Sequence, residues 1–369
     1  MTRLRARLSV LIAGGGTGGH LYPGIAVARE LMDRQPEARV TFAGTASGIE
    51  VRVLPREGLP LDLIRSAGLK GKSLAARLRG AALLPLSALD AWRVLSRRKP
   101  SVVVGVGGYS SGPIVALAAL RRTPTLLMEQ NAMPGLTNRT LARLVDAAAV
   151  TYDESRGFFG NKAFVAGNPV RAEFFAPGAR PRAGDGRTAT LHLLVFGGSQ
   201  GAHAINAAMA DAAPALAAAA MSIRITHQTG ERDLPMVRDS YARASLEARV
   251  EPFLYAMADD MKAADLVICR AGATTLAELA AAGVPAILIP FPGATDDHQR
   301  KNAQAMVNAG AARMLDQREL TGDRLAAAIL AIGRDAALAA RMSAAARAMA
   351  RPDAARVIVD RILQLAGAA

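Results

Sequence analysis

The sequence predicts an α/β protein of two Rossmann-like domains with parallel sheets, and three observations carry that expectation. Short apolar runs alternate with segments of helical spacing. The alternation restarts near residue 190 of 369. Glycine-rich turns follow three of the runs: "GGGTGGH" (14–20), "GVGGYSSGP" (105–113) and "FGGSQGA" (196–202). Strands alternating with helices build parallel, doubly wound sheets. A chain of this length also exceeds one small core.

In the first half, "RLSVLIA" (7–13) reads as a buried strand, apolar and stopped by glycines. "HLYPGIAVARELMDRQ" (20–35) is helical, because Ile25, Ala28, Leu31 and Met32 share one face. "ARVTFAG" (38–44), "SVVVGVGG" (101–108) and "PTLLMEQ" (124–130) are further strands, with the apolar helix "GPIVALAALRR" between the last two. "PGARPRAGDGRTAT" (177–190) has the Gly, Pro and charge content of a linker. Beyond it "TLHLLVFGG", "MSIRITHQTG", "ARVEPFLY", "ADLVICRAG" and "VPAILIP" are strand-like, with helices between. The expected organisation is a domain over 1–173, a linker over 174–187, a domain over 188–349 and a terminal helix within 350–369.

The formal charge of +14 (45 basic against 31 acidic residues) favours anionic partners: phosphorylated substrates, acidic lipid or nucleic acid. Few aromatics and no recognised module disfavour nucleic acid. A single cysteine, Cys269, excludes an internal disulfide and a cysteine-based metal cluster, and reads as a buried strand filler. The five histidines show no metal-ligand spacing. Neither metal nor cofactor is expected. The start, basic then apolar, is too short and too glycine-rich for a signal peptide. No apolar run approaches the roughly 20 residues of a membrane helix.

Residues 14–19 satisfy G-x-G-x-x-G after a strand, a weak signal by itself. A dinucleotide site also needs an acid at the end of the second strand for the ribose. Here "TFAGTASG" holds none before Glu50, which weighs against a nicotinamide-dependent oxidoreductase. The Lys-Ser/Thr of a phosphate loop is missing too. Tight strand–helix packing explains any one glycine loop. Three of them at strand ends point to a cleft lined by backbone amides.

These motifs resemble those of the MurG family of cell-wall glycosyltransferases. The resemblance rests on "GGGTGGH", "GGYSSGP", "MEQNAMPGLTNR", "GNPVR", "GGSQGA", "ICRAGATTLAE" and "PFPGATDDHQRKNA", in family order over nearly the whole chain. It implies the GT-B fold, two Rossmann-like domains facing across a cleft, with the C-terminal helix crossing back to the first domain. It implies an inverting transfer of GlcNAc from UDP-GlcNAc to the MurNAc 4-hydroxyl of lipid I, undecaprenyl-pyrophosphoryl-MurNAc-pentapeptide. For UDP-GlcNAc it implicates Thr17, Gly18, Gly19, Asn131, Arg171, Ser199, Leu254, Ala273, Thr274, Thr275, Leu276, Ala277, Glu278 and Gln299. Ser199 would bond a UDP phosphate, Leu254 would meet uracil through its backbone, and Glu278 would accept the ribose hydroxyls. Gly15, Gly16, Gly107, Gly108 and Tyr109 are assigned to the acceptor diphosphate. Met128 stands where many relatives carry histidine, and the "PFPGATDDHQ" loop varies.

His20, at the end of the first loop, is the candidate base, with Glu129 the alternative. Its plain alternative role is to cap the helix or bind the diphosphate. The stretch 68–100 mixes Lys70, Lys72, Arg77, Arg79, Arg93, Arg97, Arg98 and Lys99 with Leu83, Leu84 and Trp92, against one acid, Asp90. That composition suits a patch on an anionic membrane surface, or a core helix with a solvated basic face. The resemblance favours the former, placing the protein peripherally on the cytoplasmic face of the inner (plasma) membrane. A glycolipid glycosyltransferase, a UDP-GlcNAc epimerase and a catalytically silent binding protein are the remaining alternatives.

Overall fold

The computed structural model describes residues 7–66, 83–176, 190–198 and 200–367. The expected linker and the basic residues Lys70, Lys72, Arg77 and Arg79 fall largely or wholly outside that range, as does Ser199. The chain divides into two compact units, Met1–Arg171 with Arg351–Ala369, and Ala172–Ala350.

The first unit is built on a seven-stranded sheet in the order β3-β2-β1-β4-β5-β6-β7. Its strands are β1 (Ser9–Gly14), β2 (Arg39–Gly44), β3 (Leu61–Leu63), β4 (Val102–Gly107), β5 (Thr125–Glu129), β6 (Ala147–Val150) and β7 (Ala163–Val165). All neighbouring pairs are parallel. β1 and β4 are buried almost throughout, as expected of strands covered by helices on both faces. Helix α1 (Gly18–Arg34) turns Leu21, Ile25, Ala28 and Leu31 onto this sheet.

The C-terminal helix Ala354–Leu365 belongs to the same unit. Ile358, Val359, Ile362 and Leu363 lie one and four residues apart, so they form one stripe. That stripe is buried in the core of Val10, Ile12, Leu21 and Ile25. Each such side chain contributes about 1.5–3 kcal/mol by leaving water. Arg34 of α1 also pairs with Asp360 at 2.7 Å.

The second unit repeats the design with six strands in the order β10-β9-β8-β11-β12-β13. These are β8 (Leu191–Phe196), β9 (Ile223–Gln228), β10 (Glu247–Glu251), β11 (Leu266–Cys269), β12 (Ala286–Leu288) and β13 (Ala312–Met314). Helix His203–Ala217 packs Ile205, Met209 and Leu216 against Leu193 and Val195 of β8. Cys269 is fully buried on β11, where burial pushes its thiol pKa up.

In both sheets the order reverses direction at one seam, between β1 and β4 and between β8 and β11. Chain connections leave such a seam on opposite faces, which opens a crevice at the strand carboxyl ends. The glycine loops lie there.

Candidate functional sites at the two sheet seams

In the first unit the seam carries the turn after β1 and the turn after β4. Gly14, Gly15 and Gly16 take positive φ angles, and Thr17 then starts α1 with an extended backbone. The buried Glu50 holds this turn from beneath. It accepts from the amides of Gly16 and Thr45, each at 2.8 Å, and from the Thr45 hydroxyl at 3.3 Å. Gly15 crosses directly over it: a Cβ there would lie 2.7 Å from the carboxylate. The acid missing from the ribose position is therefore an anchor for the loop. The Gly16 amide is committed to Glu50.

His20 lies in the first turn of α1, half-buried against the end of β4. Its Nδ1 is 3.2 Å from Gln130 Oε1. Gly108 approaches the Gly15 carbonyl, and Tyr109 lies over Gly16 with about a third of its surface exposed. The seam thus brings together Gly15, Gly16, Thr17, Gly18, Gly19, His20, Gly107, Gly108 and Tyr109. A helix start carries the positive end of the helix dipole, a general anion-binding arrangement.

Glu129, at the end of β5, is 2% exposed. Oε1 accepts from the Asn131 amide (2.9 Å) and from Asn131 Nδ2 (3.2 Å). Oε2 accepts from the Gly135 amide (3.0 Å) and from Asn138 Nδ2 (2.9 Å). With four donors the carboxylate is saturated. It orients Asn131 and closes the 130–135 turn. Arg171 belongs to this unit, with its guanidinium 4.8 Å from the centre of the Tyr22 ring on α1.

In the second unit the seam carries the turn after β8 and the start of helix Ala273–Ala282. Gln228, buried at the end of β9, spans two loops. Its Nε2 donates to the Gly198 carbonyl at 2.7 Å, and its Oε1 accepts from the Leu254 amide at 2.8 Å. The Leu254 amide is therefore committed to Gln228. Gly201 must be glycine: its φ is +73°, and a Cβ would collide with the Thr229 carbonyl.

Helix Ala273–Ala282 starts from Gly272 without a side-chain cap, so its start is lined by the backbone of Ala273, Thr274 and Thr275. Leu276 is buried, while Thr275, Ala277 and Glu278 are half-buried on the same short helix. Gln299 Oε1 accepts from the Phe291 amide at 2.9 Å. Arg270 was not anticipated. It donates to the carbonyls of Ile289 (3.0 Å) and Pro290 (3.3 Å), and lies 5.4 Å from the Phe291 ring centre. A cation held at the carboxyl end of β11 is a third anion-attracting element of this seam. An arginine directly before the glycine turn was its signal in the sequence.

Among the described residues no helix is long and apolar enough to cross a membrane, and no group of three His, Cys, Asp or Glu is placed to hold a metal. Helix Leu84–Arg98 exposes Leu84, Leu86, Leu89 and Trp92, and Leu83 is half-buried before it. Arg121 lies 4.7 Å from the centre of the Trp92 ring. The basic count of this stretch is offset by an acid the sequence window did not contain. Asp62 of β3 pairs with Arg97 at 2.6 Å and with Arg98 at 2.7 Å.

Two parallel sheets, each with a glycine turn and a helix start at its seam, are the frame on which the comparisons place a glycosyltransferase. Residues 10–150 match the glycosyltransferase family 28 N-terminal domain, and residues 192–358 match the family 28 C-terminal domain. A Pelobacter propionicus protein is 47% identical over 375 residues, 96% of this chain and 99% of the relative. A Geobacter sulfurreducens protein is 45% identical over 357 residues, 96% and 98% of the two chains. Both relatives are named UDP-N-acetylglucosamine–N-acetylmuramyl-(pentapeptide) pyrophosphoryl-undecaprenol N-acetylglucosamine transferase. The crystal structure of Acinetobacter baumannii MurG aligns with a TM-score of 0.78 at 32% identity, covering 97% of this chain and 99% of that one. The chain belongs to the MurG family within glycosyltransferase family 28.

Proposed function

We propose that this chain transfers GlcNAc from UDP-GlcNAc to the 4-hydroxyl of MurNAc in undecaprenyl-pyrophosphoryl-MurNAc-pentapeptide, forming lipid II. The observation that carries the reading is near-full-length similarity to transferases of that name, beside this chain's own glycine turns at both sheet seams. The bond between the anomeric carbon and the UDP oxygen breaks as the bond to O4 forms, and its electron pair leaves with UDP. A single displacement on an α-linked donor inverts the anomeric centre.

His20 is the group that accepts the 4-hydroxyl proton. Glu129 is assigned the task of orienting Asn131, because both its oxygens are already filled by protein donors. Gly15, Gly107, Gly108 and Tyr109 border the acceptor's diphosphate. In the second unit, the loop containing Ser199 and the helix start at Ala273–Thr275 hold the donor's diphosphate, with Arg270 adding positive charge. Glu278 takes the ribose hydroxyls, and Gln299 offers its amide nitrogen to the sugar. The protein works peripherally on a membrane, docking through helix Leu84–Arg98 and its neighbouring basic residues.

The experiment is His20→Ala. Loss of a general base lowers turnover by about 10²–10⁴-fold. The kcat should therefore fall at least to the lower bound, with the KM for UDP-GlcNAc within two-fold. Near wild-type turnover would remove His20 from the chemistry.

A further inference from the structure

One buried side chain fixes the state of His20. Gln130, directly after β5, is 2% exposed. Its Nε2 donates to the Val106 carbonyl at 3.1 Å. A backbone carbonyl can only accept, so this bond decides which end of the carboxamide is nitrogen. The Oε1 end then faces His20, 3.2 Å from Nδ1. An amide oxygen also only accepts, so Nδ1 must be the nitrogen that carries hydrogen. The ring is laid against the end of β4 as well: a Cβ on Gly107 would come within 2.8 Å of Nδ1. Turning the ring over would put a C–H against Oε1 and lose the bond.

We propose that Gln130 is a positioning residue for the transfer: it holds His20 in the Nδ1–H tautomer, so that Nε2 is the nitrogen that takes and returns the proton. The catalytic part of this rests on the reading of His20 as the base; the tautomer does not. The proton of the 4-hydroxyl moves to Nε2, and the imidazolium keeps its Nδ1–H bond to Oε1 until the proton passes to solvent. A neutral acceptor suits this task. A carboxylate in its place would stabilise the imidazolium and leave less free base near neutral pH. Among the described residues, the other titratable or charged groups at this end of the sheet are Glu50, Glu129, Tyr109, Tyr22 and Arg171, while Arg29, Glu30, Asp33 and Arg34 lie in the later turns of α1. Glu50 and Glu129 are buried with protein donors on both oxygens, and Tyr22 is stacked by Arg171. A change made at Gln130 therefore reports on His20.

The test uses the full-length enzyme with ring-15N-labelled histidine and His20→Ala for assignment. Wild-type His20 should show a protonated Nδ1 and an unprotonated Nε2 at pH 8. The opposite tautomer would overturn the proposal, whatever the activity. In kinetics, Gln130→Glu keeps an acceptor but adds charge. Its acidic limb of kcat against pH should move up by about one unit. Gln130→Met should lower kcat at least ten-fold with the KM for UDP-GlcNAc within two-fold, and should add no loss to His20→Ala. If His20→Ala is inactive while Gln130→Glu leaves the limb in place, or Gln130→Met adds loss in that background, the positioning role fails and the base stands. If His20→Ala is active, the base reading fails and the tautomer measurement still decides the structural part. Should Gln130→Met not fold, the Glu variant and the tautomer carry the test.

Discussion

At the scale of single residues, buried polar side chains set the shape of both seams. Glu50 holds the first glycine turn by accepting two backbone amides. Glu50→Gln must turn an NH2 toward one of those N–H groups. A lost buried bond of this kind costs about 1–3 kcal/mol. Thermal unfolding should show that loss, and turnover should fall with it; an unchanged melting temperature would deny the anchoring role. His227 illustrates burial without catalysis. It sits between the Tyr241 hydroxyl (2.8 Å) and Asn206 Oδ1 (3.1 Å), and desolvation lowers its pKa to about 3. The sign follows from proton binding. Between about 6.5 and 3 the unfolded chain takes up a proton that the folded chain refuses, so stability falls as pH falls through that window and is flat above it. The slope is about 1.4 kcal/mol per pH unit. His227→Gln should show a smaller drop in melting temperature between pH 7 and pH 5, and equal drops would exclude this residue as the source. None of these partnerships was legible beforehand. Glu50 meets Gly16 across 34 residues, and Gln130 meets His20 across 110. The sequence shows that Glu50 comes too late for a ribose, but not that it folds back under the loop.

At the scale of elements, the central strands were legible to within two or three residues. Buried parallel strands are short apolar runs, and β1, β4, β8 and β11 have that form. Outer strands escaped. The edge strands β3, β7 and β13 have three residues each, too few for a period, and β6, beside β7, is "AAAV", which local preference reads as helix. Helix Leu84–Arg98 shows the other limit of reading in one dimension. Its charge looked one-sided until the fold brought in Asp62, while Leu86, Leu89 and Trp92 remain exposed at three-residue spacing. A face of this kind with nearby basic residues binds anionic lipid through both apolar and charge terms. Leu89→Glu combined with Trp92→Glu should reduce sedimentation with phosphatidylglycerol vesicles at least ten-fold while leaving the melting temperature unchanged. Equal sedimentation would take this helix out of membrane docking.

At the scale of the whole molecule, one design appears twice. Each unit winds a parallel sheet outward from a central seam, and each seam ends in a glycine turn beside an open helix start. The repeat was visible in the sequence because both halves restart the same strand–loop–helix pattern. The assignment of tasks to the halves came from the family resemblance and not from the loops, since a glycine loop has the same appearance whichever anion it meets. The polar partners of the two seams differ: His20 with Gln130 in the first unit, Arg270 and the Gln228 clasp in the second. An inverting GlcNAc transfer to a lipid-linked MurNAc is measured by supplying UDP-GlcNAc and undecaprenyl-pyrophosphoryl-MurNAc-pentapeptide to the purified enzyme and following UDP release together with the linkage formed. UDP and a β-1,4-linked disaccharide lipid should appear in equal amounts, with UDP-glucose and UDP-GalNAc turned over far more slowly. No acceptor-dependent UDP release, or an α-linked product, would rule this transfer out.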